Sequence, residues 1–169
     1  AEHVLEDSER GHLTREVLGQ RLKDSTRVEW ESMGLQIGYR YEGSPIVVPD
    51  GSRPTADDYS AYVPTSRPGS RAPHAWLADG RSTLDLFGRA FVLLVFDAGD
   101  RRADTQAFEA SFRRAGVPLS AVSMADESPE IAQLYERALV LVRPDGHVAW
   151  RGDGVVDADR IVEVVRGFG

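Results

Sequence analysis

The longest unbroken apolar stretch in the chain is Ala90-Phe91-Val92-Leu93-Leu94-Val95-Phe96, a length and composition that predict a strand buried on both faces. Around it the polar and apolar positions alternate with other periods. Phe108, Phe112 and Ala115 fall at i, i+4 and i+7, predicting a helix capped by Asp100. Residues 117–124 read as the next strand. Ser128-Pro129-Glu130 is a helix start, with the hydroxyl as N-cap and proline at the first helical position, and Ile131, Leu134 and Tyr135 form the buried side. Residues 138–143 and 147–151 flank Pro144-Asp145-Gly146, whose Asp-Gly pair suits a tight hairpin. Asp157 then opens a last helix that buries Ala158, Ile161, Val162, Val165 and Phe168. The order from residue 90 is β-α-β-α-β-β-α, so the expected class is α/β, a mixed sheet flanked by helices on both faces as in the thioredoxin fold.

The first half is less regular. Residues 4–24 carry Val4, Leu5, Leu13, Val17, Leu18 and Leu22 among many charges, a thin helical stripe broken by Gly11 and Gly19 that predicts one or two helices leaning on another surface. Leu35, Ile37, Tyr39 and Tyr41 alternate and predict a strand over 35–41. Residues 49–73 are rich in Pro, Gly, Ser and Thr and read as a linker or long surface loop, with Tyr59 and Tyr62 placed to dock it. Ala75-Trp76-Leu77 is expected as a short strand, and Ser82 as the cap of a brief helical segment to Phe87. The division that follows is a helical segment over 1–33 from the end of a preceding region, a strand plus Pro/Gly-rich linker over 34–72, and a thioredoxin-like domain over 73–169.

The 169 residues suffice for one domain with a real core. A net charge of -7 with no basic run argues against nucleic acid or an anionic membrane as partner. No apolar run approaches a membrane span, and a cytoplasmic location is expected. Cysteine is absent, which removes disulfides, thiolate catalysis and peroxidatic chemistry. Where a redox thioredoxin carries CxxC, this chain reads Asp97-Ala98-Gly99-Asp100. His3, His12, His74 and His147 lack metal-ligand spacing. Gly152-Asp153-Gly154-Val155-Val156-Asp157 partly matches a dinucleotide fingerprint, but Asp157 would set a negative charge against a pyrophosphate, so a turn with Asp157 as N-cap is the better reading. No catalytic, cofactor-binding or metal residue is assigned. The candidate interface is Tyr39, Arg40, Tyr41, Arg71, His74 and Trp76, since Tyr, Trp and Arg concentrate at interface hot spots.

Four ordered blocks carry a resemblance. They are residues 34–45, Arg67-Pro68-Gly69-Ser70-Arg71-Ala72-Pro73-His74-Ala75-Trp76-Leu77, Ser82-Thr83-Leu84-Asp85-Leu86-Phe87-Gly88, and the hairpin over 139–151. Together they resemble the C-terminal region of flavin-dependent aromatic hydroxylases, the phenol hydroxylase and aromatic polyketide hydroxylase group. The resemblance implies a parent enzyme with an FAD domain, a substrate domain and a cysteine-free thioredoxin-like C-terminal domain, using FAD, NADPH and O2 to hydroxylate a phenolic or polycyclic ring. This chain matches the last part alone, and the flavin-binding motifs of the first have no counterpart in it. The implied role is an accessory one, docking on the FAD and substrate domains or supporting a homodimer, with no cofactor of its own. The alternative is an independent thioredoxin-like binding module that holds a small aromatic ligand, in a pocket lined by Tyr39, Tyr41, Trp76 or Trp150, or a protein partner.

Overall fold

A computed structural model describes residues 2–96 and 101–168, which divide into two compact units, 1–37 with 57–62 and 38–56 with 63–169. In the first unit, α1 (Glu9–Trp30) runs unbroken through Gly11 and Gly19, its N-terminus capped by the Ser8 hydroxyl accepting from the Gly11 amide. Leu13, Val17, Leu22 and Trp30 all stay exposed on it. The strand expected over 35–41 does not form. A short helix, α2 (Met33–Ile37), takes the start of it, with the Leu35 and Gln36 amides donating to the Ser32 carbonyl. Among the described residues no strand of the sheet pairs with the rest of the stretch, whose backbone is held instead by single bonds such as that from the Tyr41 amide to the Gly69 carbonyl. Within this unit the Pro-rich loop comes back onto α2. The Leu35 amide donates to the Tyr59 carbonyl, and the backbones run so close that a Cβ on Gly34 would lie 1.8 Å from the Asp58 oxygen.

The second unit is built on a four-stranded sheet in the order β2-β1-β3-β4, with β1 (Phe91–Val95), β2 (Leu119–Ser123), β3 (Leu139–Val142) and β4 (Val148–Gly152). β1 pairs parallel with β2 across α3 (Arg102–Ala115) and antiparallel with β3, which pairs antiparallel with β4. The crossover keeps β1 and β2 parallel and the hairpin reverses the last pair, giving the mixed α/β sheet of a thioredoxin-like fold without CxxC. Alternate β1 residues face opposite layers. Phe91 and Leu93 meet Phe108 and Phe112 of α3 together with Ile161 and Val165 of α5 (Ala158–Val165), while Val92 and Leu94 meet Ile131 and Tyr135 of α4 (Pro129–Tyr135). Trp150 is buried against Phe108, ring centres 5.2 Å apart.

Several local expectations change. Ala75-Trp76-Leu77 forms an isolated bridge, Trp76 to Ser82, because the chain turns at once into the 3-10 segment Thr83–Leu86, which Ser82 and Asp85 close with a capping box. Ser128 stands at the N-cap of α4 without a capping bond from its hydroxyl. Phe168 is exposed beneath the Arg166 guanidinium. Asp100, the expected cap of α3, lies outside the described residues. Asp157 does cap α5, its carboxylate accepting from the Arg160 amide at 2.9 Å. No helix among the described residues is long and apolar enough to cross a membrane.

Candidate functional site

The β3–β4 hairpin tip organises the most unusual cluster in the second unit. The Arg143 amide donates to the His147 carbonyl and the Gly146 amide to the Arg143 carbonyl, and the Asp145 carboxylate accepts from the His147 amide. The outer side of β4 is covered by residues 67–72. The Gly69 amide donates to the Val148 carbonyl, the Val148 amide to the Ser70 carbonyl, and the Ala72 amide to the Gly146 carbonyl, which sets Arg71 opposite His147. A further layer follows, the Tyr41 amide donating to the Gly69 carbonyl. This approach depends on a glycine, since Gly69 has φ +89° and a Cβ there would stand 3.0 Å from the Tyr41 oxygen.

The layering stacks Tyr39 and Tyr41 on His147. Their ring centres lie 5.2 and 4.7 Å from the imidazole and 5.8 Å from each other. His147 is only 2% exposed, and neither ring nitrogen has a hydrogen-bond partner. Burial pushes its pKa below the usual 6.5, against the pull of Asp145 and with the help of the Arg143 and Arg71 charges, so the ring is neutral at pH 7. Arg143 lies over the Tyr41 ring at 5.2 Å and gives Nη2 to Asp145 at 2.5 Å, while its buried Nη1 has no partner. Arg71 is half-buried, and no carboxylate among the described residues pairs with it.

The remaining sequence-predicted residues sort into two further groups. Arg40 lies 3.8 Å from the Glu42 carboxylate, which Arg67 grips with both terminal nitrogens at 3.0 and 2.5 Å. The hydrogen bond from Arg67 lowers the Glu42 pKa. His74 and Trp76 meet edge to face at 5.0 Å on a segment anchored through the Pro73 carbonyl, which accepts from the Thr83 and Tyr135 hydroxyls, and Trp76 projects with 69% of its surface exposed. The structure therefore brings Tyr39, Tyr41 and Arg71 together, sets Arg40 at their flank, and joins His74 to Trp76 by ring contact. Trp150 lines no aromatic pocket with the tyrosines, because it lies in the core beside Phe108.

His147, Arg143 and Asp145 were not expected in this cluster, nor was the buried ion pair that fastens the Pro-rich loop. Arg151 on β4, 3% exposed, donates to Asp50 at 2.6 Å, Ser66 at 2.7 Å and Glu136 at 2.9 Å. Burial alone would raise the Asp50 pKa, but hydrogen bonds from the Ser52 hydroxyl, Arg151 and the Ser52 amide outweigh it and hold the group at about 2.

Comparison with known proteins places this arrangement. The family model described as "Aromatic-ring hydroxylase, C-terminal" matches residues 65–168. The chain belongs to that family. Among relatives of this aromatic-ring hydroxylase C-terminal region, an FAD-dependent monooxygenase from Emericella nidulans is 37% identical over 146 residues, 82% of this chain and 23% of that protein. A phenol 2-monooxygenase from Pseudomonas sp. is 32% identical over 167 residues, 89% of this chain and 27% of that protein. A solved structure of RebC, soaked with chromopyrrolic acid and holding 7-carboxy-K252c, superposes with a TM-score of 0.82 at 43% identity, covering 99% of this chain and 31% of RebC. The chain thus spans about a quarter of the length of the curated relatives it matches.

Proposed function

We propose that the chain is the C-terminal accessory domain of a cytoplasmic FAD-dependent aromatic-ring monooxygenase, serving interdomain docking or assembly rather than chemistry. The parent enzyme would hydroxylate a phenolic or polycyclic ring with FAD, NADPH and O2. The observation that carries this reading is the one-sided match, nearly all of this chain against less than a third of RebC, in a region described as C-terminal in aromatic-ring hydroxylases. The chain's own chemistry supports it. The thioredoxin-like sheet has no thiol to offer. A flavin dinucleotide does not fit the one loop whose sequence approaches its fingerprint, because the Asp157 carboxylate already occupies the N-terminus of α5 where a pyrophosphate would need free amides. Residues 1–33 fit the helical end of the preceding region, and Tyr39, Arg40, Tyr41, Arg71, His74 and Trp76 a surface for the FAD and substrate domains of the parent.

Two titrations test the proposal. FAD added to the 169-residue chain should show no stoichiometric binding by flavin fluorescence, and the intact parent polypeptide should carry one flavin. Stoichiometric FAD uptake by the chain alone would overturn the accessory reading.

A further inference from the structure

Polar groups without partners converge at the hairpin tip. Among the described residues Arg71 lacks an ion pair, Arg143 Nη1 is buried without a hydrogen-bond partner, and neither buried nitrogen of the His147 ring makes a hydrogen bond, Nδ1 lying 3.5 Å from the Asp145 carboxylate. Leaving buried groups such as Arg143 Nη1 unsatisfied is costly, most of all for a charge, so their convergence marks a place that another molecule completes. Charge says what kind. Arg71 and Arg143 both act on the His147 ring with Asp145 beside them, and Arg40 and Arg67 engage Glu42 nearby, a local gathering of guanidiniums on a chain of net charge -7. An acidic chain repels a polyanion, but two neighbouring guanidiniums suit a single carboxylate, which accepts planar hydrogen bonds from both. The half-exposed Tyr39 and Tyr41 rings give the rigid aromatic walls typical of interface hot spots.

We propose that Arg71 and Arg143, set over His147 and walled by Tyr39 and Tyr41, form a seat for one carboxylate side chain presented by the part of the parent enzyme that precedes this chain. The inference rests on the docking reading and makes it specific. The carboxylate bridges Arg71 and Nη1 of Arg143, a move that needs the Tyr41 ring to swing off the Arg143 guanidinium. Asp145 keeps Nη2 of Arg143, and the His147 ring supports the tyrosines from beneath.

Hydrogen–deuterium exchange of the intact parent, compared with the 169-residue chain whose sheet carries a core on each face, tests the seat. Residues 38–42 and 143–147 should exchange about tenfold more slowly in the parent, the scale of one well-made docking contact. Arg71→Met and Arg143→Met should each abolish most of that protection, and Arg71→Lys should restore much of it. Slow exchange of β1 in each isolated variant reports that it is folded. Where a methionine variant fails that check, Arg→Gln at the same position removes the charge instead. Protection that survives loss of either charge overturns the carboxylate seat. Protection confined to other segments also overturns it and leaves the docking reading standing, whereas identical exchange throughout removes both.

Discussion

Replacing Arg151 by methionine tests what ties residues 49–66 to the sheet. The guanidinium is buried at the end of β4 and bonds Asp50, Ser66 and Glu136, the first two from the Pro-rich loop. Removing one member of a buried ion pair costs about 3–5 kcal/mol, because the other charge stays behind without compensation. Here the lower end applies. Asp50 keeps the Ser52 amide and hydroxyl at 2.9 and 2.5 Å, and the half-exposed Glu136 carboxylate regains water. A loss of about 3 kcal/mol should lower Tm by roughly 6–12 °C for a domain of this size. The pH profile supplies a second reading. Asp50 is held at about 2 against an ordinary 3.8, a difference worth roughly 2.4 kcal/mol. Because the folded pKa is the lower one, this stabilisation is complete above pH 4 and drains away as pH falls toward 2. In Arg151→Met the acid limb should flatten, and chymotrypsin should cut after Tyr62 more readily as the loop lifts. A variant with unchanged Tm, acid limb and cleavage rate would refute the claim that the ion pair fastens the loop.

Three further outcomes are expected. Gly69→Ala should destabilise the chain by more than about 1 kcal/mol, since alanine must adopt φ +89° and press on the Tyr41 carbonyl; urea unfolding and the Tyr41 ring shifts report it. His147→Leu should be neutral within about 1 kcal/mol at pH 8, because neither nitrogen it removes has a partner. The folded His147 pKa lies below that of the unfolded chain, so its contribution is full above pH 6.5 and falls as pH drops through the folded value; the loss of stability on acidification below pH 6.5 should be shallower in the leucine variant. Trp76→Ala should leave the stability of the isolated chain within about 0.5 kcal/mol, as its indole is largely exposed, yet weaken association in the intact enzyme by sedimentation; unchanged sedimentation would remove Trp76 from the interface.

The elements that the sequence made legible are those whose signal is local. The apolar run at Phe91–Val95, the i, i+4 spacing of Phe108 and Phe112, and the Asp-Gly turn before β4 each describe packing within one element and its immediate neighbours. The same logic explains the failure at residues 35–41. Alternation says that side chains point to opposite sides of an extended chain, not that a partner strand exists. Leu35 stays exposed in a short helix, and Tyr39 and Tyr41 share a side in order to cover one histidine rather than a sheet face.

The candidate site was half legible for a related reason. The tyrosines and arginines of residues 39–41 and 71 stand out by composition, but what joins them is long-range. His147 lies more than a hundred residues from Tyr39, and Arg151 reaches Asp50 across 101 positions. One local signal did point there. His147 follows the hairpin turn and opens a run of Val148, Ala149 and Trp150 opposite the wholly apolar β3, a setting in which an ionisable side chain is costly to bury. Such a residue should be buried neutral and should mark a place where something other than core packing is at stake. Its nitrogens, without hydrogen bonds beneath two tyrosines and flanked by Arg71 and Arg143, are what that reasoning would have led to.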